Sequence, residues 1–404
     1  MKEYGESYAV RARTIVPMTN EKAARGKDLF EPISSIDNGV LLVHKNYVVA
    51  CGKKKDLELP KGLIVHDLGD VSLIPGVINC HAHIDISHLA GKTQWGAGFS
   101  AWLTSLIPLC PRHEPEDTRE IDAAREKALA QCAMKGTACI GSIASPSLRT
   151  LAALENLANK KGIRLIHLCE AFGQKINALA TVVDDMHKEC PNALLSAAGH
   201  ALYSTTGETL KAASRIAASF NRRMSLHLAE SPEEVDMLTS GRGELYEIFT
   251  HGVLPPSWTV PKMRPVPLAN SLGLLSNLLA VHCVHVSEDE AELLAAMDVA
   301  VCLCPRSNAN LACGTARVET FIEKGILLCL GTDGLTSSPD LDVIQEACFL
   351  KKTKDLPANA LLRMLTVNGA YALGLPLAMG RLAPGSPARF ALLPSCLELK
   401  LSPR

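Results

Sequence analysis

The stretch LIPGVINCHAHIDIS, residues 73 to 87, ends an apolar strand with His81 and His83 two residues apart. Side chains at i and i+2 of a strand point the same way, so these two imidazoles share a face and can chelate one metal ion. Alone, such a pair reads equally well as a hydrogen-bonded surface pair. Its weight comes from residues further along the chain: His200 in GHALYS, His227 and Glu230 in HLAE, His282 in AVHCVH, Arg306 in CPRSN and Asp333 in LGTDG. Imidazoles with a carboxylate suit one borderline-soft divalent ion, Zn²⁺ or Fe²⁺. An ion with an open position lowers the pKa of bound water to about 7, and a carboxyl group near the metal but not on it can deliver protons.

Those residues need a scaffold that gathers them. From GVINCHAH to ILLCLGTDG the chain alternates apolar strands with helices, eight units in all. One helix is predicted from about Asp117 to Lys135. Ser231 and Glu234 read as a capping box with Pro232 in the first turn. Buried parallel strands read as continuous apolar runs, so the pattern predicts an α/β fold, a (β/α)8 TIM barrel over residues 73–379. An open doubly wound sheet is the alternative, but no strand is followed by a GxGxxG or GxxxxGK[ST] loop. The polar residues also fall at strand C-terminal ends, as in barrel active sites. Strand one then ends in His81 and His83, strand four in His200, strand five in His227 and Glu230, strand six in His282 and strand eight in Asp333. The remaining histidines, among them His113 and His285, read as surface or satisfied core residues. Residues 1–72 and 380–404 carry short β-type runs and predict a small β-sandwich domain built from both termini. A Pro-rich excursion from Gly241 to Pro267 predicts a lid or an interface.

The composition, 47% apolar and 21% charged, is globular, and 41 Lys and Arg balance 42 Asp and Glu. No field is expected that would recruit nucleic acid or an anionic membrane, so a small molecule is the expected partner. The sequence leaves a homodimer open. MKEYGESYAVRART is not a signal peptide, and no apolar run reaches the roughly 18 residues of a membrane span. A cytoplasmic protein is expected. The 14 cysteines show no disulfide framework and read as small buried hydrophobes, Cys283 and Cys304 lying nearest the chemistry.

The order and spacing of His81-x-His83, HLAE at 227 to 230, AVHCVHVSEDE, CPRSNANL and LGTDG resemble the amidohydrolase superfamily from Ile74 to Leu375. The resemblance implies that His81, His83, His227 and Asp333 bind the catalytic metal. LLSAAGHALYS has no lysine where binuclear members bridge two metals, which is similar to the mononuclear deaminase branch. In that branch hydroxide attacks the amidine-like carbon of an aminopurine or aminopyrimidine. Glu230 would protonate the ring nitrogen, Asp333 take a proton from water and His282 orient the hydroxide. The other zinc deaminase class carries PCxxC, which this chain lacks.

PGVINCHAHIDISHLAGK, GFSAWLTSLI and CPRSN resemble the aminodeoxyfutalosine deaminases of the futalosine route to menaquinone. This implies 6-amino-6-deoxyfutalosine as the preferred substrate, with futalosine and ammonia as products, and 5'-methylthioadenosine, S-adenosylhomocysteine, guanine or cytosine as the alternatives. Related 5'-methylthioadenosine/S-adenosylhomocysteine deaminases usually differ at Ile86 and Ser87 and tend to carry a ribose-binding acid in the segment matching FSAWL. That acid is missing here, which leaves the ribose contact unassigned. GHALYS resembles a PHAPYS segment, implying that His200 contacts substrate, with Gly199 in place of Pro. Arg389 stands where the tail commonly has Asp. Arg306 reads either as a bidentate partner for the substrate's benzoate or as half of an ion pair with a neighbouring carboxylate. A reading of a different class is a barrel that has lost chemistry and serves as a binding subunit. The intact ligand set with Glu230 argues against it.

Overall fold

The computed structural model describes residues 6–110, 118–174, 176–251 and 253–398. His113, the expected helix start at Asp117 and the last six residues of the tail lie outside them.

The N-terminal strands are β1 (Ser7–Ile15), β2 (Ile36–His44), β3 (Tyr47–Lys53), β4 (Ile64–Asp67) and β5 (Ser72–Pro75). β2 and β3 form a hairpin whose two turn residues, Lys45 and Asn46, are both left-handed (φ 48° and 65°), the twist that strand pairs favour. β1 pairs with β4 along its first half and with β5 at its end. The tail strand, which in chain order is β14 (Phe390–Leu393), returns to pair antiparallel with β5. The terminal sheet therefore reaches Pro75, a few residues beyond the expected boundary, because β5 finds its partners there and not in the barrel.

Eight parallel strands come next: β6 (Val77–Ala82), β7 (Thr137–Ala144), β8 (Arg164–Ala171), β9 (Leu194–Ala201), β10 (Met224–Leu228), β11 (Leu278–His282), β12 (Ala300–Leu303) and β13 (Leu327–Leu330). They lie side by side in sequence order and form a nearly closed TIM-like barrel. At the seam, the N–H groups of Thr332 and Asp333 both donate to the His81 carbonyl, at 3.0 and 3.1 Å. The Asn79 side chain donates to Thr332 Oγ1 at 2.8 Å and accepts from the Thr332 N–H. Helices on the outside begin on short polar caps just past the strand ends, such as Ser147, Thr206, Ser287 and Asp342. None of the described helices is long and apolar enough to cross a membrane.

The 241–267 excursion contains a helix at Glu244–Thr250 and leads into another at Pro265–Ser271. Cys139, Cys169, Cys283, Cys302, Cys304 and Cys329 are all buried. The returning tail brings Cys396 against the helix Val343–Lys354, where its sulfur meets that of Cys348.

β6 carries register shifts against β7, so simple alternation does not hold along the strand that bears His81. Its path is set from the side by Gly141, where a Cβ would stand 2.3 Å from the Cys80 carbonyl oxygen. Gly141→Ala is expected to lower stability by about 1 to 3 kcal/mol through overpacking. It should also weaken metal retention, because Cys80 is bonded to His81. Urea denaturation and elemental analysis check both; wild-type values in both would show that the barrel absorbs the methyl group.

Candidate active site

The barrel fold brings His81, His227, His282 and Asp333 together, one ligand atom from each lying within 4.8 Å of the others, all four buried. His83, just past the end of β6, joins them. Its Nε2 is 3.5 Å from Asp333 Oδ1, the same separation as His81 Nε2. The His83 and His282 rings both stack on His227, at 5.6 and 5.5 Å between centroids.

Hydrogen bonds fix which atoms face the centre. His227 Nδ1 donates to the His200 carbonyl at 2.7 Å, which leaves the Nε2 lone pair 3.2 Å from His81 Nε2. Asp333 Oδ2 accepts from Ser307 Oγ at 2.7 Å and Ser337 Oγ at 2.6 Å, so Oδ1 is turned to His81 and His83. Burial pushes the His227 pKa well below its ordinary value, and neighbouring imidazoles add to this. Burial also lowers His200 and His282 to about 3. Burial pushes Asp333 up, but the His81 hydrogen bond and the surrounding histidines outweigh it and hold the carboxyl well below its usual range. Imidazole nitrogens gathered around one carboxylate fit a divalent cation.

His282 differs from its neighbours. Its Nδ1 accepts from Asn308 Nδ2 at 3.0 Å, so a neutral ring carries its proton on Nε2, 3.5 Å from Glu230 Oε1. That tautomer suits a donor to substrate or water better than a ligand, although distance alone groups His282 with the donor set. Glu230 is buried, which pushes its pKa well above the carboxylate range. It follows Ala229, held at φ 52°, and the N–H groups of Ala229 and Glu230 both donate to the Glu234 carboxylate, at 3.1 and 2.8 Å. This corrects the expected capping box. Ser231 caps the helix Pro232–Ser240, but Glu234 reaches back to the loop that bears Glu230. His282 at φ 74° and Asp333 at φ 60° are likewise left-handed, so three strand ends at this centre carry backbone conformations that L-residues rarely adopt.

Arg306 does not present a free cation to the barrel mouth. Its guanidinium donates two parallel hydrogen bonds to Asp340, at 2.8 and 2.9 Å, and its N–H donates to buried Glu346. The ion-pair reading of Arg306 is the one its geometry supports, and a benzoate contact loses its physical basis. The rest of CPRSN serves the centre: Ser307 holds Asp333 and Asn308 holds His282. His285 turns outward and meets the Cys313 carbonyl. His200 lies at the end of β9, its Nδ1 2.5 Å from Ser204 Oγ and its ring edge-on to Phe172 at 5.1 Å.

Sequence reasoning missed Glu170, the penultimate residue of β8, which forms a second close group with His200 and His227. Burial raises its pKa to about 7. The signal was present in RLIHLCEA, a single carboxylate at the C-terminal end of an apolar strand. Also missed was the anchoring of the neighbouring loops: the Thr336 carbonyl accepts from Thr93 Oγ1, Trp95 Nε1 and Trp102 Nε1.

Arg306→Met should therefore reduce stability, by about 1 to 3 kcal/mol for lost hydrogen bonds to charged groups, and should not select among substrates. Denaturation curves and relative rates over a substrate panel test this. Burial pushes Glu346 up to about 8 from an ordinary 4.5. Because the folded pKa is raised, its stabilising contribution is full below about pH 4.5 and is lost as the pH rises through 8. Glu346→Gln should flatten the decline in stability across that window; an unchanged slope would assign the decline to other groups.

The family model for the amidohydrolase family matches residues 72–400. A 5'-deoxyadenosine deaminase from Methanothrix thermoacetophila is 29% identical, over 87% of this chain and 81% of that protein. A 5-methylthioadenosine/S-adenosylhomocysteine deaminase from Moorella thermoacetica is 30% identical, over 81% and 74%. The fold is shared with the crystal structure of Helicobacter pylori aminofutalosine deaminase in complex with methylthio-coformycin, at 20% identity, TM-score 0.78 and coverage of 95% and 91%. With strands, strand-end histidines and family match in agreement, the chain belongs to the amidohydrolase family, hydrolases acting on C–N bonds.

Proposed function

We infer that this chain hydrolytically deaminates an adenine nucleoside, with one divalent ion, Zn²⁺ by its donor set, held by His81, His83, His227 and Asp333. The observation that carries the reading is Glu230, a buried carboxyl 3.5 Å from His282 Nε2, beside the group that His81, His227, His282 and Asp333 form but not a member of it. When bound, the ion supplies Lewis acidity that brings the pKa of a water molecule to about 7. The protein groups do the rest. Glu230, whose burial favours its protonated form, gives its proton to a ring nitrogen and makes the adjacent carbon electrophilic. Asp333, fixed through Oδ2 by two serines, accepts the proton of the attacking water on Oδ1. His282 donates from Nε2 toward the oxygen that adds to the ring, and His200 contacts the ring's far edge. Asp333 passes the water's proton to the exocyclic nitrogen, the C–N bond breaks and ammonia leaves, and the hydroxyl proton on the added oxygen returns to Glu230 as the product carbonyl forms.

The named relatives support adenine nucleosides with varied 5' groups. Within that class, 6-amino-6-deoxyfutalosine rests on the first motif and on CPRSN. The Arg306–Asp340 pair removes the partner foreseen for its benzoate, and 5'-deoxyadenosine, 5'-methylthioadenosine and S-adenosylhomocysteine compete with it on identity to their deaminases. A cytoplasmic setting and a menaquinone role go with the futalosine substrate.

Ammonia release over these compounds, adenosine, guanine and cytosine is the test. At least one adenine nucleoside should be turned over far faster than either free base, and silence across the panel would leave the inactive-barrel reading standing. Glu230→Gln should cut kcat by roughly 10²-fold or more with metal content unchanged; near-normal turnover would place the acid elsewhere. Elemental analysis should give one ion per chain, lost in the His81→Ala, His83→Ala double variant. Two tightly held ions would overturn the mononuclear assignment.

A further inference from the structure

The carboxyl group of Glu170 has no role in the proton transfers assigned to Glu230 and Asp333. Its Oε1 is buried and, among the described residues, has no hydrogen-bond partner. The nearest ring nitrogen, His227 Nδ1, is 4.0 Å away and already donates to the His200 carbonyl. The side chain nonetheless keeps 15% of its surface exposed, so it is not sealed in the core, and it stands near the C-terminal end of β8 with His200 and His227. A buried carboxylate oxygen left unpaired costs free energy that only a donor can offset. The described protein atoms supply none to Oε1, and a ligand bound at the strand ends can.

Position indicates which part of the ligand. Glu230 and His282 lie at the ends of β10 and β11, and Glu170 lies across His227 from them, at the end of β8 beside His200 and Phe172. A substrate whose reacting carbon faces Glu230 sends its remote portion along β8 and β9. In an adenine nucleoside the amino-bearing carbon and the glycosidic nitrogen stand at opposite ends of the base, so that portion is the sugar. The compounds named for the two relatives differ at the 5' position and share the ribose 2' and 3' hydroxyls. A vicinal diol offers two adjacent O–H donors, which match the two oxygens of one carboxylate. We propose that Glu170 is a specificity-determining residue that binds the 2',3'-diol of the nucleoside's ribose. The proposal rests on the adenine-nucleoside reading and assigns the sugar contact that reading lacks.

The experiment compares kcat and KM of the metal-loaded enzyme, Glu170→Gln and Glu170→Ala on adenosine, 2'-deoxyadenosine and 3'-deoxyadenosine, with metal content measured for each protein. Wild type should prefer adenosine over both deoxynucleosides by about ten- to a hundredfold in kcat/KM, the size expected for hydrogen bonds to a charged group. Glu170→Gln should lower adenosine by a similar factor, mainly through KM, and leave the deoxynucleosides within about twofold. Equal losses on all three substrates, or a loss carried by kcat alone, would overturn the proposal. So would a fall in bound metal, which would make Glu170 a cation ligand with His200 and His227. The isosteric Gln variant decides the matter if the Ala variant fails to fold. Wild type that turns over adenosine without a discriminating Glu170→Gln defeats this proposal alone; wild type inactive on every adenine nucleoside defeats it together with the reading beneath it.

Discussion

Everything at the centre depends on a seam. The barrel is closed where two consecutive N–H groups, from Thr332 and Asp333, converge on the single carbonyl of His81. That bond pair does more than join the first strand to the last. It sets the backbone of one site histidine and of the site aspartate against each other, so their side chains are registered by main-chain geometry before any ion is present. The left-handed φ of Asp333 is the conformation that lets the chain turn out of β13 and still make that contact. Local strain of this kind persists where the surroundings over-determine it, and here they do: Ser307 and Ser337 grip one oxygen of the same carboxylate.

His227 and His282 are oriented by the same economy of means, each with its Nδ1 committed to a specific partner. His227 is held through the His200 carbonyl and His282 through Asn308. Glu234 grips the two N–H groups leading into Glu230. These contacts link successive strand ends, so the centre is a ring of supports running around the barrel. Partners that orient a metal-site histidine through its other nitrogen commonly matter nearly as much as the ligands.

Much of this was legible in the sequence because it rests on periodicity and order. Eight apolar runs alternating with helices, with a series of histidines and acids at their C-terminal ends, are sufficient to infer a barrel and the gathering of His81, His83, His227, His282 and Asp333. What was not legible depends on distances between residues far apart in the chain. Arg306 could be read as a cation for substrate or as half of an ion pair; the choice depends on Asp340, 34 positions away, whose approach no spacing rule encodes. Glu234 matched a capping pattern, and the pattern gave way because the loop before it had two N–H groups to satisfy. Glu170 was legible by the rule that found the histidines and was passed over because a lone carboxylate lacks the repeat that makes His-x-His conspicuous. The meeting of Cys348 with Cys396 required knowing where the tail returns.

The Thr336 carbonyl, which accepts hydrogen bonds from Thr93, Trp95 and Trp102, shows how the rim of the barrel is held together. Those three donors tie the segment after the first barrel strand to the loop after the last, across the seam and one residue from the serine that grips Asp333. Above β8 to β10, Phe249 of the 241–267 excursion rests edge-on against Tyr203 and near Phe172. One part of the rim is thus pinned by three donors meeting on a single oxygen, and another is held by packed rings.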